Sequence, residues 1–179
     1  MNRAARQTAA PQSAARRHAQ GGFFLIEALI ALLIFSLGIL GMVGMGGAAI
    51  AAQSDAQYRT EAANWANEIA TQIALNVDRA NLATSLPEFA HQPVDGGYCT
   101  FGGSASSQAV VTDWVDKVRG AVPGVAGLPG ASDVSQQIQV DVSAAGHNKV
   151  TVTICWQPPS ASAIAFAPMR RHTLITYVN

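Results

Sequence analysis

The sequence predicts an α+β fold in which a long N-terminal helix, half transmembrane and half amphipathic, packs on a small antiparallel β-sheet. Three observations carry this expectation. Residues 23–52 are an apolar run with a single charge. Beyond them, apolar positions recur every three or four residues up to Val77. From Val134 to Val178, three short stretches alternate apolar and polar residues.

The 179 residues suffice for one ordinary domain plus an appendage. Hydrophobic residues make up 49% and charged residues 12%, the latter about half the share of a typical soluble domain. A disordered polar chain is excluded. The net charge of zero hides an asymmetry: residues 1–22 hold Arg3, Arg6, Arg16 and Arg17 and no acid, leaving seven basic and eleven acidic residues after them. A basic head on an acidic body is a targeting pattern and argues against nucleic-acid binding.

The run FFLIEALIALLIFSLGILGMVGMGGAAIAA, residues 23–52, contains one charge, Glu27. As a helix it would be about 45 Å long, and about 20 residues already cross a bilayer. It exceeds the apolar core of a secretory signal, about 7–15 residues. Arg16 and Arg17 before it would hold the N-terminus in the cytoplasm and send the body to the periplasmic side. A carboxylate at the centre of a membrane helix costs about 2.5–3.5 kcal/mol, and an ionisable group there points to function. Gly21-Gly22 forms a small-residue site just ahead of the run, and cleavage there would free an amine at Phe23 able to pair with Glu27 of a neighbouring chain.

Gly22-Phe23-Phe24-Leu25-Ile26-Glu27, after a basic leader and before a long apolar helix, resembles the class III signal of the type IV prepilin family. The resemblance implies that a prepilin peptidase cuts between Gly22 and Phe23 and N-methylates Phe23, and that Glu27 is the subunit-assembly charge. Phe24 departs from the pattern, since the family more often has Thr or Ser there. The domains would then be a leader at 1–22, a transmembrane and filament-core helix at 23–52, and a periplasmic pilin-like body at 53–179.

Glycines at 38, 41, 44, 46 and 47 weaken the apolar helix by about 0.5–1 kcal/mol each against alanine. They suit either close packing of neighbouring helices or a segment that melts locally in a filament. Tyr58, Ala62, Trp65, Ile69, Ile73 and Val77 then define one helix face, with Arg59, Glu61, Asn64, Glu68 and Asn76 mostly elsewhere. Helical character should fade after Arg79, with Pro87 as a firm stop. One continuous helix of about fifty to sixty residues follows.

Residues 83–111, rich in Gly, Ser and Ala, read as a long irregular connection. Thr112 or Asp113 should cap a short helix carrying Trp114, Val115, Val118 and Val122 and ending at Pro123-Gly124. Val134, Ile138, Val140 and Val142 form a strand face with Gln136 as its one polar interruption, and a turn spans residues 144–148. Val150, Val152, Ile154 and Trp156 form the next face. After Pro158-Pro159 and a small-residue loop, His172 to Val178 gives a third strand. A meander with one apolar face needs a cover, which the amphipathic half of the long helix supplies. Asp113-Trp114 before Pro-Gly, Cys155-Trp156, Arg170-Arg171-His172 and the membrane segment Ser36-Leu37-Gly38-Ile39-Leu40-Gly41 resemble the minor pilins of the PilV type.

With the body outside the cytoplasm, Cys99 and Cys155 are expected as a disulfide pinning the long loop to the second strand. No clustered ligands suggest a metal site, and no cofactor is expected. His18, His91, His147 and His172 are dispersed, and no nucleophile-elbow, zinc-helix or phosphate-loop motif occurs, so no catalytic residue and no enzyme activity are expected.

The resemblance implies a minor pilin that contributes to the assembly or priming of a type IV pilus after leader cleavage. Its partners would be the prepilin peptidase, other minor and major pilins, the membrane and a PilY-type tip adhesin. It would sit in the inner membrane as a single-pass protein and then in the pilus at the cell surface. Two alternatives share parts of the pattern: a pseudopilin of a type II secretion system, and an uncleaved signal-anchored periplasmic binding domain.

Overall fold

The apolar and amphipathic stretches are one helix, α1, spanning Gly21–Asn76, 56 residues in all. The computed structural model describes residues 21–143, 145, 147–159 and 167–179. Residues 1–20 with Arg16, Arg17 and His18, two residues of the 144–148 turn and the small-residue stretch 160–166 lie outside the described residues. Two compact units divide between Gly47 and Ala48. In the first, α1 is the described element.

In the second unit, Ala62, Ala66, Ile69 and Ile73 of α1 are completely buried, a spacing of four, three and four that draws a straight stripe along a 3.6-residue helix. Tyr58 and Trp65 flank the stripe half-buried. α1 ends at Asn76, earlier than its composition suggests. The carboxylate of Asp78 accepts from the Ala80 amide at 2.9 Å and starts a separate 3₁₀ turn at Arg79–Asn81. Helical turns then continue through α2 (Leu82–Ser85) and a 3₁₀ turn at Leu86–Phe89. Pro87 therefore stops nothing: it sits in the first turn of that 3₁₀ segment, where its missing N–H has no partner to lose.

The connection at 83–111 is more ordered than its composition suggests, because β1 (Val94–Asp95) and β2 (Phe101–Gly102) pair as a short antiparallel ribbon. The helix that follows, α3 (Ala109–Val118), begins before both expected caps. Gln108 occupies its N-cap without a side-chain bond, and Thr112 instead donates back to the Ala109 carbonyl. α3 buries Val111, Trp114, Val115 and Val118, whereas Val122 lies past its end. The chain reverses there because Gly120 adopts φ +73° and backs onto Gly127, where a Cβ would collide with the Gly120 main chain.

β3 (Gln136–Asp141), β4 (Lys149–Trp156) and β5 (Arg170–Tyr177) form an antiparallel sheet in the order β3-β4-β5. The architecture is thus α+β, with a long N-terminal helix and a small antiparallel sheet. β3 is shorter than its alternation suggested, since Val134 falls in a 3₁₀ turn at Asp133–Ser135 and Val142 follows the strand. The third strand starts two residues earlier than expected and stops one earlier. Ile138, Val150, Val152, Ile154 and Trp156 join the α1 stripe and the α3 valines in one core cluster. Gln136 is wholly buried in that face. Its amide donates to Ser135 Oγ and the Cys155 carbonyl, both at 3.0 Å, and its oxygen accepts from the Cys155 N–H at 3.4 Å. Satisfied in this way, the amide can be tolerated among apolar neighbours.

Candidate functional site

From Phe23 to Ile50, seventeen large apolar side chains are exposed, Phe23 by 83%. Every one of these residues would be expected inside a soluble core. α1 from Phe23 is long and apolar enough to cross a membrane, with none of its most apolar window buried within the chain. Burying a large apolar side chain stabilises by about 1.5–3 kcal/mol, so this surface represents on the order of 30 kcal/mol. That exceeds the cost of inserting Glu27 by about tenfold. Water is an unfavourable environment for this surface, and the helix is long and apolar enough to place it in a bilayer.

Glu27 lies exposed on α1, four residues beyond Phe23, a rise of about 6 Å. Gly22 and Phe23, the expected cleavage pair, occupy the first turn of α1. Among the described residues, no ion pair involves Glu27.

The glycines of the apolar half are required neither by conformation nor by contacts inside the chain. A Cβ added at Gly38, Gly41, Gly44, Gly46 or Gly47 would meet nothing within 4 Å, and all five are helical. At about 100° per residue they fall at about 300°, 240°, 80° and 180° from Gly38, scattered round the helix rather than along one groove. This distribution suits a soft segment better than a single helix–helix contact.

The cysteines meet: Cys99 and Cys155 form a disulfide with Cα atoms 5.7 Å apart. The bond lies buried beside Phe101 and Met169 and fastens the loop carrying β1 and β2 to the outer face of β4. Tyr98 next to it donates to the Met169 carbonyl at 3.3 Å, and the Arg171 guanidinium lies 5.4 Å from the Tyr98 ring centroid.

Two residues with structural roles, His91 and Asp55, were given none by the sequence. His91 is buried and bridges main chain to main chain with Ile138, while its Nδ1 accepts from the Ser106 amide at 3.3 Å. That leaves Nε2 to carry the proton and donate to the Asp133 carbonyl at 3.3 Å. Burial pushes the His91 pKa down, against a smaller opposing effect of Asp133. Asp55, three residues past the apolar run, pairs with Arg59 at 2.9 Å and makes an ion contact with Arg170 at 3.3 Å without hydrogen-bond alignment. Apart from the i,i+4 pair of Asp55 with Arg59, these partnerships join segments far apart in sequence, and no local pattern signals them.

No family model, curated protein or solved structure matches this chain. Among the described residues, no three His, Cys, Asp or Glu side chains gather as a metal site would require.

Proposed function

We propose that this chain is a minor pilin, made as a prepilin in the inner membrane and built into a type IV pilus after leader cleavage. The observation that carries the reading is the exposed apolar helix with one carboxylate four residues behind a Gly-Phe pair. A generic anchor has no use for that charge, and its insertion costs free energy. In the proposed role, prepilin peptidase cuts after Gly22 and methylates Phe23. The new ammonium group sits at the helix N-terminus of the incoming subunit. Glu27 of a neighbouring subunit neutralises it while the apolar helices exchange lipid for one another.

The disulfide-fastened body would face the periplasm and then the filament surface, meeting other minor and major pilins and a PilY-type tip adhesin. The role is assembly rather than catalysis. Scattered glycines are consistent with it, because a soft segment lets a straight membrane rod adapt to a crowded fibre core. Intact mass and N-terminal sequencing of the mature protein test the reading. A chain beginning at N-methylated Phe23 is expected, whereas a mature chain still carrying residues 1–22 would overturn it.

A further inference from the structure

The two edges of the β3-β4-β5 sheet are finished differently. Along β3, His91 bridges Ile138, while Gln137 and Gln139 donate to the main-chain carbonyls of Gln92 and Pro93 at 3.1 and 3.0 Å. That edge is closed. Along β5, no further strand pairs among the described residues. β5 is eight residues long, pairs one-to-one with β4 from Arg170 to Tyr177, and contains no proline, glycine or lysine. It therefore lacks the bulges, prolines and lysines with which proteins commonly blunt a free edge.

Its outward side chains are Arg171, Thr173, Ile175 and Tyr177, and the last two are each 56% exposed. Tyr98, stacked on Arg171, extends the same surface. Tyrosine and arginine around an exposed aliphatic residue is the composition of binding hot spots. The charge is local and positive on a chain whose residues 23–179 carry eleven acids against seven bases.

We propose that β5 accepts an extended segment of a partner polypeptide as a fourth strand. The segment carries an acidic residue opposite Arg171 and β-branched or aromatic residues opposite Ile175 and Tyr177. Main-chain hydrogen bonds along the edge supply the affinity, and the cross-strand side-chain pairs supply the choice. A second copy of the chain fits less well. Antiparallel self-pairing offers Arg171 no opposite charge, because β5 carries no acidic residue. Parallel self-pairing brings Arg171 towards Arg171.

The proposal stands independently of the maturation chemistry above. Its test uses the full chain in detergent and the capped peptide Val-Thr-Val-Thr-Ser-Thr-Glu-Thr, which places its glutamate opposite Arg171 in antiparallel register. Amide exchange along β5 should slow on the order of tenfold with this peptide while β4 is unchanged. A peptide with lysine in place of glutamate should fail with the wild type and succeed with Arg171→Glu. No slowing, equal slowing by a scrambled peptide, or β5 protection that rises with protein concentration alongside a dimer in sedimentation would each overturn it.

Discussion

The indole Nε1 of Trp114 donates to the main-chain carbonyl of Trp65 at 2.9 Å, joining α3 to the body half of α1. Trp114 is 2% exposed, so its indole N–H has little access to competing water. Lys117 and Glu68 add a half-exposed ion pair one turn along, also at 2.9 Å, which contributes little by comparison.

Trp114→Phe should keep most of the packing and lose the bond, a cost of about 1–2 kcal/mol. Trp114→Ala should cost about 3–5 kcal/mol through the cavity it leaves. Denaturant unfolding of the detergent-solubilised chain checks the ordering, and a Trp114→Phe variant as stable as the wild type would show that the hydrogen bond contributes nothing.

Glu27→Ala should be cleaved and methylated as usual yet be missing from fibres sheared off the cells. Glu27 would act at the assembly step and not at the peptidase. Immunoblots of the sheared fraction, alongside N-terminal mass of the membrane fraction, separate the two steps. Normal incorporation of the variant would refute the pairing with the Phe23 amine.

Removing the disulfide should destabilise the body by about 2–4 kcal/mol, since its cysteines are 56 residues apart in sequence. Cys99→Ser with Cys155→Ser, or reduction of the wild type, should open the segment around β1 and β2 to limited proteolysis. Mapping of the first cut sites reads this out, and unchanged resistance there would mean the loop is held by its side-chain bonds alone.

His91 should make the body less stable in mild acid. Its folded pKa lies below the ordinary 6.5, so the unfolded chain binds the proton more readily. The stability its neutral ring supports is fully present above pH about 6.5 and is lost as pH falls below that value towards the folded pKa. Urea midpoints measured at pH about 7.5 and about 5.5 should differ more for the wild type than for His91→Gln.

Replacing Gly44, Gly46 and Gly47 with alanine should stabilise α1 by about 0.5–1 kcal/mol per site, because each Cβ enters open space. Amide exchange across residues 38–47 in detergent should slow accordingly. Reduced recovery of the triple variant in sheared fibres is expected if softness serves assembly, and unchanged recovery would remove that role from the glycines.

The long helix and the meander were legible because their periods are strong and uninterrupted. The stripe through Ile69 and Ile73 and the alternation from Val150 to Trp156 each leave one geometry able to bury them. Boundaries were less legible, for physical reasons. Asp78 captures an amide that would otherwise have continued α1, and Pro87 is harmless in a first turn. α3 starts without a side-chain cap, held by Val111, Trp114 and Val118 in the core. Of the candidate site, Glu27 stands out in one dimension because it is the lone charge in an apolar run. The bonds of His91, Gln136 and Arg170 join distant segments and leave no such trace.

Gln136 holds both peptide groups of Cys155, and this makes covalent closure a proofreader of strand alignment. A hairpin threaded one step out of place would strand that amide in hydrocarbon and rotate the Cys155 thiol beneath the helix, out of reach of Cys99. Only the correctly zipped chain presents two sulfurs to an oxidant, so a misaligned molecule keeps its thiols reduced and its loop unfastened.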